Sequence, residues 1–295
     1  MGVSQQNETK FLFRFNNNQL IPTRIFTKFE KEKFAEGTFW YCYRGDIYDL
    51  DEDEKVKTVD FPSGKCVVKI YKSDQHKEDF ILDYKNSEYA SQCAVEFNRI
   101  IGENKLYFIL PFAGSINIVA GFKLFGLINI RDDENKKFVK ENSLVSIEPY
   151  LPYDYYKFSS NSGYENQNFN RYIPAFMHYT WIKSRGRIVV SDVQGIFTGD
   201  KYILTDPACQ SLGQLFGSSD LGAMGLCKFL VCHRHNDYCK NWIWVPAQFS
   251  GILSSVNANS IKRTSFVFEH EKNIQKYVPI YNYVLSLIKF NNWLI

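Results

Sequence analysis

The sequence predicts an α+β chain of two lobes, the first rich in strands and the second mixing strands with helices. Three observations carry this reading. Runs of β-branched and aromatic residues, TFWYCY (38–43), CVVKIYK (66–72) and LVSIEPYL (144–151), have the composition of strands. Helical spacing of apolar residues appears at SEYASQCAVEFNRIIG (87–102), YIPAFMHYTWIKS (172–184) and LGAMGLCKFLVCHRH (221–235). After Leu151 the composition shifts to a Tyr- and Asn-rich irregular segment, PYDYYKFSSNSG, which marks the lobe boundary.

Taken in order, residues 1–20 are polar and Asn/Gln-rich and read as a loosely ordered arm. FAEG (34–37) places Gly37 at the entrance of the first strand, and DLDEDEK (49–55) reads as a solvated loop. FPSGK (61–65) is turn chemistry that launches the strand carrying Lys69. The following helix sets Tyr89, Cys93, Val95 or Ala94, Phe97 and Ile100 near one face, with Gly102 as its stop. Apolar runs at 106–112 and 116–130 precede a charged loop, RDDENKK. In the second lobe, RIVVSDVQG and YILTDP each read as a strand running into a loop. The last helix before the tail turns Leu221, Leu226, Phe229, Leu230 and Cys232 inward. The tail offers one strand, TSFVFEHE, and a helix over about 273–294 with Tyr277, Ile280, Tyr281, Val284, Leu287 and Ile288 on one stripe.

Composition narrows the function classes. With 295 residues, 45% apolar and 23% charged, the chain can bury a substantial core. A net charge of +3 is too small to argue for nucleic acid or an anionic membrane. The seven cysteines are odd in number and mostly sit inside apolar runs, which fits a reducing compartment and not a disulfide framework. The N-terminus lacks the basic and apolar regions of a signal peptide, and Gln6 departs from the myristoylation pattern after Gly2. No apolar run reaches the length of a membrane span, so a cytoplasmic protein is expected.

The chemistry concentrates between Ser191 and Cys239. Asp192 and Gln194 are two apart and can face the same side of an extended loop, and Asp206 returns after a strand and a turn. Such oxygens could hold magnesium against phosphates, although Gln-Gly and Asp-Pro are also ordinary turn dipeptides. Lys69, alone among Val67, Val68 and Ile70, either snorkels from an edge strand or meets a phosphate. His233, His235 and Cys239 stand at metal-ligand spacing.

Several further motifs occur in order along with these: FAEG, CVVKIY, AVEFN (94–98), SIEPYL, KFSSNSG (157–163), AFMHYT, SDVQG, LTDP and GSSDLGAMG. Together they resemble the alpha-kinase family of atypical Ser/Thr protein kinases, over about Phe34 to Cys239. The resemblance implies a two-lobed, protein-kinase-like fold with an N-lobe over about 21–151 and a C-lobe over about 152–245. Residues 246–295 would be an extension of unknown role. It implies ATP contacts from Gly37, Lys69, Glu148 (at the adenine amino group), the Tyr150 backbone, Lys157 and Asn161. Asp192 would act on the substrate hydroxyl, while Gln194 and Asp206 would ligate magnesium. Gly217, Asp220, Gly222 and Gly225 would belong to a loop that receives a protein substrate. A structural zinc would be held by His178, His233, His235 and Cys239, with Cys232 as a competing ligand.

The chain also departs from the family pattern. His235 replaces a cysteine, Trp40 an arginine, Tyr153 a glycine and Ser159 an asparagine. Two functions are therefore expected. One is an ATP- and magnesium-dependent protein Ser/Thr kinase; the alternative is a weak or inactive pseudokinase serving as a nucleotide-binding or protein-interaction module. A zinc-finger nucleic-acid binder is excluded by the net charge and the single isolated clasp.

Overall fold

A computed structural model describes residues 6–16, 19–50, 56–58, 64–72, 77–124, 128–131, 139–161, 164–169 and 171–242. The expected strand and helix of the tail, all of 246–295, Gly163 and the acidic stretch 51–55 lie outside the described residues. The strands begin with β1 (Asn7–Thr9), β2 (Phe13–Asn16), β3 (Gln19–Pro22), β4 (Ile25–Phe29), β5 (Ala35–Glu36), β6 (Trp40–Leu50), β7 (Val56–Thr58) and β8 (Lys65–Tyr71). Helix α1 (Lys77–Ile101) is followed by β9 (Leu106–Phe108), β10 (Phe112–Ile118), β11 (Gly121–Leu124), β12 (Ile128–Arg131), β13 (Leu144–Pro149) and β14 (Tyr155–Lys157). The remainder is α2 (Tyr172–Lys183), β15 (Ile188–Ser191), β16 (Gln194–Phe197), β17 (Tyr202–Thr205), β18 (Ala208–Ser211) and α3 (Ala223–Cys232).

The chain divides into two units, Met1–Phe80 with Leu110–Pro152, and Ile81–Ile109 with Tyr153–Ile295. In the first, the strand order β1-β4-β6-β8-β13-β10 closes on itself because β1 pairs with both β4 and β10. Its interior holds Leu12, Phe29, Tyr43, Ile47, Val68, Ile70, Ile116, Val145 and Ile147. Along β8, Cys66, Val68 and Ile70 join that interior, so period-2 alternation turns Lys69 to the opposite face.

The expected loose arm is a correction: its residues supply β1, β2 and part of β3. Backbone pairing and polar satisfaction order it where hydrophobicity does not. Asn7 is fully buried, donating from Nδ2 to the Glu30 carbonyl and accepting the Ala120 amide at Oδ1.

The second unit packs α1, α2 and α3 around β15 and a four-stranded sheet ordered β14-β16-β17-β9. Sequence order places α1 and β9 in the first lobe, yet from Ile81 to Ile109 they belong to this unit's core. Cys93, Ala94 and Phe97 face inward with Phe176 of α2, whereas Val95 is 68% exposed and Ile100 lies outward. Gly102 ends α1 with φ +69. Asn98, last residue of AVEFN, then fixes the turn into β9: its side chain donates to the Leu106 carbonyl and accepts the Lys105 and Leu106 amides. Among the described residues, no helix is long and apolar enough to cross a membrane.

Candidate active site

In the first unit, Lys69 Nζ lies 2.7 Å from Glu148 Oε2, and each side chain is only 6% exposed. Ser146 of β13 stands opposite Lys69, which makes Glu148 its diagonal neighbour on the same face. Because β8 lies between β6 and β13 and Lys69 is buried, the edge-strand alternative for this lysine is a correction, while the Glu148 carboxylate engages its ammonium. The Tyr150 amide likewise donates to the Lys65 carbonyl at 3.1 Å, so that backbone donor is already used. Gly37 donates its amide to the Trp40 carbonyl, and a Cβ built there meets nothing within 4 Å. Trp40 stacks on Tyr71, its cross-strand partner, with ring centroids 3.6 Å apart. The Arg44 guanidinium lies 4.7 Å over the Phe34 ring and 6.0 Å from that of Tyr150, a grouping that no motif had singled out.

In the second unit, three adjoining strands gather Lys157, Gln194, Asp192 and Asp206, whereas the other expected catalytic residue, Lys69, belongs to the first unit. Lys157 at the end of β14 pairs with Gln194 at the start of β16, and Gln194 pairs with Thr205 at the end of β17. Asp206 directly follows β17, and Asp192 directly follows β15, with Val193 between it and β16. Both adopt left-handed backbone, with φ +54 and +49, an uncommon conformation that clusters at functional sites. Asp192 Oδ1 lies 2.7 Å from Lys157 Nζ, an ion pair between the two side chains. The pair is partly solvated, and such pairs contribute at most about 1 kcal/mol to stability. Gln194 Nε2 reaches the Asp206 carbonyl at 3.5 Å. Gly195, with φ +146, lets β16 approach β17: a Cβ there would sit 2.1 Å from the Ile203 carbonyl oxygen. Asn161 stands half-buried where the described part of its loop ends.

The expected substrate loop is organised from within. Asp220 is buried and accepts from the Ser211 amide (2.8 Å) and hydroxyl (2.6 Å), the Gly222 amide (2.9 Å) and the Phe216 amide (3.3 Å). Its carboxylate shapes the loop and is not presented to a substrate. Gln210 caps the same loop, accepting from the Leu221 amide and donating to the Ser219 carbonyl. A Cβ at Gly225 would meet Gln210 Oε1 at 2.3 Å, so that glycine serves packing in α3. Gly217 and Gly222 supply left-handed turns, at φ +85 and +65. Leu215, 64% exposed, is the loop's outward apolar side chain; sequence reading passed over it, and also over Gln210.

His178, His233, His235 and Cys239 bring four ligand atoms within 4.8 Å of one another, and Cys232 is not part of that group. The three imidazole centroids are 5.0, 5.0 and 5.1 Å apart, and Cys239 Sγ is 3.7 Å from His233 Nε2. A tetrahedral ion with Zn–N and Zn–S bonds of about 2.1 and 2.3 Å needs ligand separations of about 3.3–3.8 Å, so the set fits with a modest contraction. The surroundings favour the ligand forms. Burial, helped by the His235 and Arg234 charges, pushes His233 down to about 3, leaving it neutral. His235 Nδ1 donates to the Cys239 carbonyl at 3.2 Å, which leaves Nε2 to carry the lone pair. Burial raises the Cys239 thiol, while the Asn236 amide donates to its sulfur at 3.5 Å and opposes that shift.

Comparisons with known proteins agree with this geometry. The model of the Alpha-kinase family matches residues 35–239. Alpha-protein kinase vwkA of Dictyostelium discoideum is 33% identical over 226 residues, covering 72% of this chain and 35% of that protein. Eukaryotic elongation factor 2 kinase of Caenorhabditis elegans is 30% identical over 237 residues, covering 80% of this chain and 27% of that protein. The chain thus spans about a third of the length of these curated relatives. Among solved structures, the alpha-kinase domain of myosin-II heavy chain kinase A in complex with AMP-PNP is similar at TM-score 0.57 and 25% identity, covering 80% of this chain and 94% of that one. An alpha kinase from Entamoeba histolytica reaches TM-score 0.59 at 19% identity, covering 81% and 91%. With the family model spanning most of its length and the sheet-rich fold in agreement, the chain belongs to the alpha-kinase family.

Proposed function

We propose that the chain is a protein Ser/Thr kinase that transfers the γ-phosphoryl group of ATP to a protein hydroxyl. The observation that carries this reading is the convergence of Lys157, Asp192, Gln194 and Asp206 at the ends of three adjoining strands. Phosphoryl transfer asks a protein chiefly for positioning and charge stabilisation. Asp192 orients the attacking hydroxyl and accepts its proton, and the Lys157 ammonium holds that carboxylate in place. Gln194 and Asp206 supply oxygen ligands that suit magnesium, which offsets phosphate charge when bound. In the first unit, Lys69 is the phosphate lysine, kept in place by Glu148, and Gly37 leaves open space for a nucleotide. His178, His233, His235 and Cys239 form a structural zinc site with four protein ligands, supported by their mutual distances.

The departures from the family pattern are accommodated. Tyr153 is exposed and is not among the residues with positive φ, so no left-handed turn is forced on it. Trp40 packs on Tyr71. Ser159, fully buried, accepts the Val193 amide at 3.0 Å. These observations favour an active kinase over a pseudokinase. The proposed catalytic domain extends the expected 21–245 back to β1 at Asn7, which closes the first unit's sheet, with protein substrates and a cytoplasmic setting.

The test is phosphate incorporation from ATP by the wild type, Asp206→Ala and Lys69→Ala. Incorporation by the wild type that falls at least a hundredfold in both variants supports the proposal. Absence in the wild type, or equal incorporation in all three, overturns it.

A further inference from the structure

We propose that Ser159 and Glu165 form a relay tying the His/Cys cluster to the backbone that carries Asp192 and Gln194. Val193 lies between those two residues, and both of its backbone groups are held by one short loop. The amides of Phe158 and Ser159 donate to the Val193 carbonyl at 2.9 and 3.0 Å, and the Val193 amide donates to Ser159 Oγ at 3.0 Å. Asp192 has left-handed backbone outside any strand, so its orientation depends on what anchors Val193.

The same loop turns back on itself and pairs Ser159 with Glu165 in an antiparallel bridge. The flanking bonds run from the Asn166 amide to the Phe158 carbonyl (2.7 Å) and from the Ser160 amide to the Tyr164 carbonyl (2.9 Å). That pattern makes Ser159 and Glu165 a non-hydrogen-bonded pair, with Cα atoms about 4.5 Å apart and side chains on one face. Both side chains are buried. The hydroxyl anchors Val193, while Glu165 Oε1 lies 3.7 Å from His233 Nδ1.

His233 directs its other nitrogen, Nε2, toward Cys239 Sγ. A divalent cation bound at Nε2 obliges the ring proton to sit on Nδ1, where it faces the Glu165 carboxylate. Filling the cluster therefore strengthens the contact that holds the Glu165 side of the bridge. The Ser159 side is the one that anchors Val193. Glu165 and Ser159 are positioning residues: neither touches reacting atoms, and each is the link between the cluster and the catalytic segment. The consequence for catalysis rests on the kinase reading of Asp192 and Gln194; the relay itself does not.

Amide hydrogen exchange on the full chain, saturated with zinc, tests it in the wild type, Ser159→Ala and Glu165→Gln. Ser159→Ala removes the acceptor, and the Val193 amide exchanges at least tenfold faster while zinc content stays that of the wild type. Glu165→Gln weakens zinc binding about 10- to 100-fold in chelator competition. It also speeds Val193 exchange at least threefold with the site still saturated, while the Ile203 amide of β17 keeps its protection. Glu165→Gln protein with weakened zinc binding but wild-type exchange at Val193 would overturn the relay, as would unchanged exchange in Ser159→Ala. If Glu165→Gln fails to fold, Glu165→Asp, which draws the carboxylate back from His233, takes its place with the same expected and overturning results. An inactive wild type with the expected exchange pattern removes the kinase reading and leaves the relay standing.

Discussion

Replacing Lys69 by methionine separates what the buried ion pair does for stability from what it does for chemistry. Lys69 and Glu148 lie 2.7 Å apart with 6% of each side chain exposed. Removing one member of so buried a pair costs about 3–5 kcal/mol, because the remaining charge keeps its desolvation penalty and loses its main compensation. Replacing both by apolar residues of similar volume is roughly neutral, since the pair's attraction does little more than offset that penalty. Lys69→Met should therefore lower the melting temperature by about 10 °C, at about 2–4 °C per kcal/mol for a domain of this size. Glu148→Met should do the same, and Lys69→Met/Glu148→Met should return to within about 1 kcal/mol of the wild type. The double-mutant cycle then reads a coupling energy above about 3 kcal/mol. Urea unfolding gives the stabilities, and phosphate incorporation from ATP gives the activity. The double variant should be as stable as the wild type and inactive. A Lys69→Met protein of wild-type stability, or an active double variant, would refute the reasoning.

Purified protein should contain about one zinc per chain, lost in His235→Ala. Because structural zinc contributes on the order of 10 kcal/mol to folding, chelation should melt the second unit, and metal analysis with circular dichroism reads both effects. Gly195→Ala should destabilise by more than about 3 kcal/mol, since its Cβ would lie 2.1 Å from the Ile203 carbonyl oxygen at φ +146; soluble protein of normal urea midpoint would count against it. Burial pushes the Cys66 and Cys227 thiols up to about 12, so in the folded chain both should resist alkylation at pH 9. Unfolded thiols ionise near their ordinary value of 9.0, so above that pH the unfolded chain binds fewer protons and stability falls as pH climbs toward 12. A urea midpoint that rises between pH 9 and 11 would contradict this.

Much of the site was legible because its residues lie close in sequence or break a local pattern. A lone lysine within Val67, Val68 and Ile70 stands out, and so do carboxylates at strand ends. The clasp is visible from the spacing of 233–239. What escaped was pairing across distance. Glu148 is 79 residues from Lys69, and nothing in its own neighbourhood says that it meets the lysine. Asp220 reads as a loop carboxylate until the four donors around it are seen. Glu165 sits in a Tyr- and Asn-rich segment with no periodicity, so its place beside His233 carries no local signal. The polar N-terminal segment lacks an apolar face, and backbone ladders, invisible in composition, make its strands.

By itself the sequence indicated the class of fold, the order of the motifs and the family, and it singled out the candidate residues for phosphoryl transfer and metal binding. These follow from residue type and spacing, which act over one strand, one helix or one turn. Only the tertiary structure decided which of those residues face one another. It set Lys157 on Asp192, Glu148 on Lys69 and Ser159 on Val193, and it drew His178 to a clasp more than fifty residues on. The reason is physical: burial raises the cost of any uncompensated charge or polar group, and its compensation comes from whatever strand the fold places alongside.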